Sequence, residues 1–105
     1  MKRGEVWWVS FAASTGGKAQ KQCPAVIVSN DASNSDLNRP QVVSLTCIVD
    51  RLYPSEAFVM VKGEKHKAMA DQLATFSKLR LSNRVVRLSQ SDLRELEQAI
   101  LVHWD

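Results

Sequence analysis

Short strand-like segments that follow one another without helical patterns between them constrain the fold of this chain most. Each segment is rich in β-branched or aromatic residues and is bounded by residues that favour turns. Parallel strands need long crossover connections, usually helices, whereas antiparallel strands do not. The pattern therefore predicts an antiparallel curled sheet or a small barrel. The predicted strands are residues 5–11, 25–29, 42–49, 56–61, 67–76 and 83–88, of which 67–76 is either the fifth strand or the start of a bend. Pro24 suits the start of the second strand.

Only the C-terminal segment has a clear helical pattern. Leu93, Leu96 and Ile100 recur at helical intervals. Ser89 precedes Asp92 by three residues, the spacing of a capping box with Asp in place of the usual Glu. This predicts one amphipathic helix of about fifteen residues. The fold class is therefore mainly β (α+β), a curled sheet or small barrel closed by a C-terminal helix.

Three connections are predicted from turn-forming residues. Residues 12–22 include two adjacent glycines, Lys18 and Lys21, which predicts a mobile, cationic loop. Residues 30–40 are dense in Asn, Asp and Ser, whose side chains bond to nearby backbone, so a loop with at most one helical turn is expected. Residues 62–65 are predicted to turn between the fourth and fifth strands.

Length and charge limit the kinds of partner. The 105 residues fit one domain, residues 1–105. No apolar run approaches the roughly 18 residues of a membrane helix, and no signal-peptide pattern follows Met1, so a cytoplasmic location without a membrane partner is expected. The net charge is +3, but the last seventeen residues carry −3, which leaves +6 on the first 88. A body this basic favours a polyanion or an acidic peptide; ordinary solvated charge is the alternative.

Metal and nucleotide chemistry find no support in the residues. Cys23 and Cys47 lie in or beside apolar runs, without metal-ligand spacing, and are predicted to be buried free thiols. His66 and His103 are expected to be solvated. There is no Gly-rich phosphate loop, paired-histidine motif or nucleophile elbow. The sequence therefore predicts neither a metal nor a cofactor.

Basic and aromatic side chains allow two interpretations each. Lys62, Lys65 and Lys67 in a turn, with basic residues near the end of the sheet, would form a phosphate-binding surface or be scattered solubilising charge. The tryptophans are expected in the core or in a dimer contact rather than as platforms for stacking bases, because each lies in a periodic apolar element. They exceed what a barrel this small readily encloses. A homodimer is therefore predicted.

Five stretches in order resemble the MazF/PemK/Kid toxins, the toxin halves of bacterial type II toxin–antitoxin systems. They are distributed from one end of the chain to the other: residues 2–7, residues 16–31 apart from Cys23, residues 44–46, residues 70–72 and the helix that begins after residues 87–89. The resemblance implies a homodimeric SH3-like barrel that cuts single-stranded RNA at short sequences without a metal. It also implies inhibition of translation and growth, and silencing by a cognate antitoxin with an acidic, disordered tail.

The resemblance also implies the site residues. The family has an Arg immediately before the Pro of the second strand and a Thr or Ser at the end of the third; here Cys23 and Thr46 stand at these positions. Asp71 and Gln72 match an acidic-Gln pair that lines the RNA groove. A thiol cannot replace a guanidinium that is always charged, so activity is impaired, another cation substitutes, or the chain is an inactive variant.

The loop before the second strand supplies the remaining candidates for RNA binding. Lys18 and Lys21 are candidates for the displaced positive charge, and Gln20 lies between them. Two other functions stay open at this point. One is a barrel that binds RNA or an antitoxin without cutting, as Cys23 suggests; the other is a CcdB-like poison of DNA gyrase, against which Thr46 and the Asp71–Gln72 pair argue.

Overall fold

A computed structural model describes residues 2–11, 21–31, 40–75 and 78–104, with the backbone alone at residues 11, 21, 22, 78, 103 and 104. Within these residues the chain forms six strands, a short 3₁₀ turn (Lys78–Arg80) and a C-terminal helix. The elements are β1 (Glu5–Phe11), β2 (Lys21–Ile27), β3 (Gln41–Thr46), β4 (Glu56–Val61), β5 (Glu64–Thr75), β6 (Leu81–Arg87) and α1 (Gln90–Trp104).

The six strands form one antiparallel sheet in the order β4-β5-β3-β2-β1-β6. The sheet curls into a half-barrel, with β4 and β6 at its two edges. Register shifts interrupt β1–β6 and β3–β5 pairing, and such irregularities bend a sheet. The predicted fold class, a small antiparallel barrel with a terminal helix, is confirmed.

Packing differs between the two faces of the sheet. The face toward α1 carries the larger core, in which Val26 and Val43 pair across β2 and β3 and Leu96 of the helix is fully buried. Ala99 of α1 meets Ala57 and Ala70, and these small side chains let the helix approach β4 and β5 closely. The opposite face carries a second cluster: Val9, Ala25, Ile27, Val42 and Leu81, with Trp7 packed against it.

Strand limits depend on pairing as well as on local pattern. The predicted limits of β1 and β4 are those observed. The prediction for β2 was wrong at both ends. Residues 21–24 pair with β1 and so extend the strand, and β2 ends at Ile27, two residues early, where its ladder with β3 ends. Pro24 is consequently an interior residue of β2. It is tolerated there because the hydrogen-bonded register with β3 covers only Ala25–Ile27, so that β2 pairs at Pro24 with β1 alone.

Three further limits correct the predictions. β3 ends at Thr46, three residues early, because its ladder with β5 ends there. β5 begins at Glu64, because Lys62 and Gly63 alone form the hairpin turn, both with positive φ (50° and 81°) as a type I′ turn requires. β6 runs over Leu81–Arg87 instead of 83–88, because Val9 of β1 pairs with Leu81.

The start of α1 confirms half of the predicted capping box. The Asp92 backbone N–H donates to Ser89 Oγ at 3.1 Å, which makes Ser89 the N-cap. Asp92 does not return the bond to the cap; its Oδ2 accepts from the Met60 backbone N–H at 2.9 Å. The carboxylate therefore ties the helix to edge strand β4. Within the described residues no helix is both long and apolar enough to cross a membrane.

Candidate active site

A row of three side chains crosses adjacent strands of the face that points away from α1. Lys67 of β5 is the direct register partner of Thr46 at the end of β3. The β2–β3 ladder ends at the Ala25–Ser44 pair, and Cys23 and Thr46 each lie two residues beyond that pair on their own strands. Thr46 thus pairs with Lys67 on one side, and on the other side lies the strand that carries Cys23 at the expected arginine position.

Local backbone geometry orients the Thr46 hydroxyl. Thr46 is half-buried, and its Oγ1 accepts a hydrogen bond from the Ile48 backbone N–H at 3.2 Å. A hydroxyl that accepts one hydrogen bond still has its own hydrogen to donate. Thr46 therefore has the chemistry to donate to an anion placed against this face.

The two cysteines differ in exposure. Cys23 is partly buried and Cys47 is exposed, and both are free. The prediction of two buried thiols was therefore wrong for Cys47, because β3 ends one residue before it and the chain leaves the sheet. A thiol is a weak hydrogen-bond donor without a fixed positive charge, so Cys23 offers an anion little of what an arginine would.

Asp71 and Gln72 lie at an irregularity of β5. The β3–β5 register shifts between the Val43–Leu73 pair and the Leu45–Ala68 pair, so residues 69–72 lie opposite Ser44. Both side chains are exposed. Ala70 and Leu73 both pack on the α1 side of the sheet although they are three residues apart, so the regular alternation of side chains is interrupted here. The shift gives this pair a position beside β3 that a regular strand would not.

The remaining predicted RNA-binding residues lie before β2 or at its first position. Lys18 and Gln20 lie outside the described residues. Lys21 is the first residue of β2, not part of a loop as predicted, and its backbone pairs with Phe11. Its position two residues before Cys23 places it on the strand that carries the expected arginine site.

The burial of Lys67 and its partners were not predicted from the sequence. Its side chain was assigned to a turn of surface lysines, but it lies within β5 and is buried, 9% exposed. Its Nζ lies 3.3 Å from Glu56 Oε1, whose side chain is 10% exposed, and donates to the Arg51 carbonyl at 2.9 Å. Glu56 and Lys67 are eleven residues apart, and the only sequence signal for their pairing is the Gly63 turn that makes β4 and β5 a hairpin.

A second carboxylate lies at the start of β1, near the sheet's other edge. Glu5 Oε1 accepts from the Lys2 backbone N–H at 2.9 Å and from Trp7 Nε1 at 3.1 Å, and Oε2 lies 3.0 Å from Arg84. Burial by itself would raise the pKa of Glu5, but these three donors outweigh it and hold the pKa below its ordinary value. The role of this group is to brace β1 against β6.

A groove of about 280 Å³ lies between β1 and β2 on one side and the β4–β5 hairpin on the other. Trp8, 38% exposed, and Pro24 form one wall, and His66 lies on the hairpin side. Within the described residues, no three His, Cys, Asp or Glu side chains are grouped as a metal site would need.

Comparison with known proteins places the chain in a family. Residues 2–103 match the PemK-like, MazF-like toxins of type II toxin–antitoxin systems. Endoribonuclease MazF9 of Mycobacterium tuberculosis is 32% identical over 114 residues, covering 100% of this chain and 97% of the relative.

Solved structures support the same fold. A mycobacterial endoribonuclease in complex with its cognate antitoxin superposes with a TM-score of 0.81 at 21% identity, covering 99% of this chain and 94% of that one. MazF from Deinococcus radiodurans superposes with a TM-score of 0.79 at 19% identity, covering 99% and 96%. With its full-length match and its half-barrel closed by one helix, the chain belongs to the PemK-like, MazF-like toxin family of type II toxin–antitoxin systems.

Proposed function

We propose that this chain is an endoribonuclease toxin that cuts single-stranded RNA at short sequences without a metal and thereby inhibits translation and growth. The observation that carries the proposal is the full-length similarity, at 32% identity, to an endoribonuclease of the same family. The position of Thr46 between two strands that bear polar side chains supports it.

Cutting RNA with its own 2′-hydroxyl as nucleophile makes particular demands. A base removes the 2′ proton, the 2′ oxygen attacks phosphorus, and the bond to the 5′ oxygen breaks as that oxygen gains a proton. Negative charge on the phosphate must be met by donors or cations already in place. We expect the Thr46 hydroxyl to donate to a phosphate oxygen, because Oγ1 accepts from the Ile48 N–H and keeps its own hydrogen to donate. Gln72 and Asp71 contact splayed bases from the adjoining strand.

The expected arginine position is the weak point of this site. Cys23 brings no positive charge, so the charge on the phosphate must be met from elsewhere for wild-type cleavage to proceed. Lys18 and Lys21, with Gln20 between them, are the candidates by their place in the chain just before Cys23. Lys67 is closer to Thr46 in register, but its charge is matched by Glu56.

The proposed partners follow from charge and family. A cognate antitoxin with an acidic, disordered tail would bind a body that carries +6 outside its last seventeen residues. We expect this tail to cover the RNA site, and the toxin to act as a cytoplasmic homodimer.

The first experiment compares wild-type protein, Cys23→Arg and Thr46→Ala on a long single-stranded RNA with a chelator present. We expect Cys23→Arg to raise the cleavage rate by about 10²- to 10³-fold, since one donor to transition-state charge is worth about 3 to 4 kcal/mol. Thr46→Ala should lower the rate by about 10²-fold on the same grounds. Thr75→Ala, an exposed threonine at the far end of β5, is the matched control and should leave the rate unchanged.

The outcomes separate the candidate functions. Cleavage by Cys23→Arg but not by wild type would make the natural protein a binding member of the family. Cleavage by neither, with or without divalent cations, would show that the proposed activity is wrong. Equal rates for wild type and Cys23→Arg would show that the positive charge comes from another residue, and Lys18 and Lys21 would be substituted next.

A further inference from the structure

The segment that follows Thr46 is held by hydrogen bonds more than by buried apolar side chains, one of them from the Ala70 backbone N–H to the Ser55 carbonyl at 3.0 Å. This β3–β4 connection, residues 47–55, exposes its apolar side chains: Ile48, Leu52 and Tyr53 are 64%, 46% and 51% exposed. The Arg51 guanidinium lies over the Tyr53 ring, 5.5 Å from its centre, within the connection itself. With so little apolar burial, the position of the connection must depend on polar contacts.

The buried ion pair of Glu56 and Lys67 supplies those contacts from both sides. Lys67 Nζ donates to the Arg51 carbonyl at 2.9 Å, and Glu56 Oε1 accepts from the Tyr53 backbone N–H at 2.9 Å. The Glu56 backbone N–H also donates to the Tyr53 carbonyl at 2.9 Å. Two side chains of the β4–β5 hairpin are thus hydrogen-bonded to the connection at Arg51 and at Tyr53, on either side of Leu52.

The connection in turn touches the proposed catalytic hydroxyl. Ile48 donates its backbone N–H to Thr46 Oγ1, so the orientation of the hydroxyl depends on where residue 48 lies. Lys67 is also the cross-strand neighbour of Thr46. The backbone of residues 48–51 therefore joins the hydrogen bond at Thr46 to the one at Arg51, which the ion pair holds.

We propose that Glu56 and Lys67 are positioning residues of the RNA-cleaving site, which act by holding the β3–β4 connection so that Thr46 can donate to the phosphate. This inference rests on the proposed function. Neither side chain needs to touch RNA, because both are nine-tenths buried and paired with each other. A shift of about 1 Å in a group that meets the transition state can cost on the order of 10²-fold in rate.

The test must remove the hydrogen bonds from Lys67 and Glu56 to the connection without leaving an unpaired charge buried. Replacing Lys67→Met and Glu56→Leu together does this, because a buried ion pair can often be replaced by apolar residues of similar volume without loss of stability. We expect kcat for RNA cleavage to fall by at least about tenfold while KM changes less than about threefold. Lys67→Arg keeps the charge and a donor for the Arg51 carbonyl, and should retain most of kcat.

A matched control is available on the helix side of the molecule. Arg3 and Glu97 form an exposed ion pair 3.2 Å apart, with side chains 40% and 41% exposed. Arg3→Met with Glu97→Leu makes a comparable change of side chains away from the β3–β4 connection, and should leave kcat and KM at wild-type values.

Hydrogen–deuterium exchange of the same proteins provides a readout that does not depend on activity. The Tyr53 amide should exchange faster in the Lys67→Met, Glu56→Leu protein than in wild type, while the amides of β1 and β2 keep their protection. Wild-type kcat in that protein, or unchanged exchange at Tyr53, would overturn the inference. If wild-type protein fails to cut RNA, the proposed function is wrong, and the exchange measurement alone decides whether the ion pair orders the connection.

Discussion

Two glutamates at opposite parts of the sheet bind basic partners in different ways. Glu5, at the start of β1, has three donors, and its basic partner Arg84 has a side chain that is 60% exposed. Glu56, at the start of β4, is paired with Lys67, and both side chains are nine-tenths buried. The loss of one donor leaves Glu5 with two others, whereas the loss of Lys67 leaves the buried Glu56 carboxylate with the Tyr53 backbone N–H but without its cation. Two ion pairs of the same chemical type are thus expected to differ: the fold should tolerate the loss of the basic partner at Glu5 better than at Glu56.

The largest effect is expected for Lys67→Met as a single change. It leaves the Glu56 carboxylate buried without its cation, which should lower the free energy of unfolding by about 3 to 5 kcal/mol. Urea unfolding followed by far-UV circular dichroism measures this loss. Adding Glu56→Leu should restore much of the stability, and a single variant as stable as the double one would break the contrast between the two glutamates.

A smaller, pH-dependent effect is expected for Glu5→Gln. At pH 7 the loss of charge-assisted hydrogen bonds should cost about 1 to 2 kcal/mol of unfolding free energy. The pKa of Glu5 is held below its unfolded value, so its stabilising contribution is complete above that value, about 4.3, and disappears as the pH falls through the folded pKa. Urea midpoints of the two proteins should therefore differ at pH 7 and converge as the pH falls through the folded pKa of Glu5. A gap that does not shrink as the pH is lowered would assign the loss to packing.

The smallest effect is expected for Arg84→Met. Its guanidinium is largely solvated, and Glu5 keeps the Lys2 and Trp7 donors, so the loss should stay below about 1 kcal/mol. The difference from wild type should shrink further in 0.5 M salt, where exposed charges are screened at distances of about 4 Å. A loss as large as that of Lys67→Met would show that exposure of one partner does not decide the strength of these pairs.

The candidate site was predictable in part. The resemblance to the toxin family pointed to Thr46 and Cys23 in the chain, but how their strands lie against each other depends on a β2–β3 register that no local pattern reveals. The position of Asp71 and Gln72 beside Ser44 depends on a register shift within β5. Lys67 was assigned to the surface because a lysine near a turn is usually solvated, and only its partner Glu56 makes burial tolerable.

Sequence alone determined the fold class, the limits of β1 and β4, and the N-cap at Ser89, because alternation, helical period and capping are properties of neighbours in the chain. Tertiary structure decided where β2, β3, β5 and β6 begin and end, since a strand extends as far as its partner offers hydrogen bonds. It also decided that Asp92 bonds to β4 instead of its own cap, and that Lys67 is buried beside Thr46. The physical reason is the same in each case. Hydrogen bonds and ion pairs form with whichever group the folded chain brings near, and the local sequence pattern does not reveal which group that is.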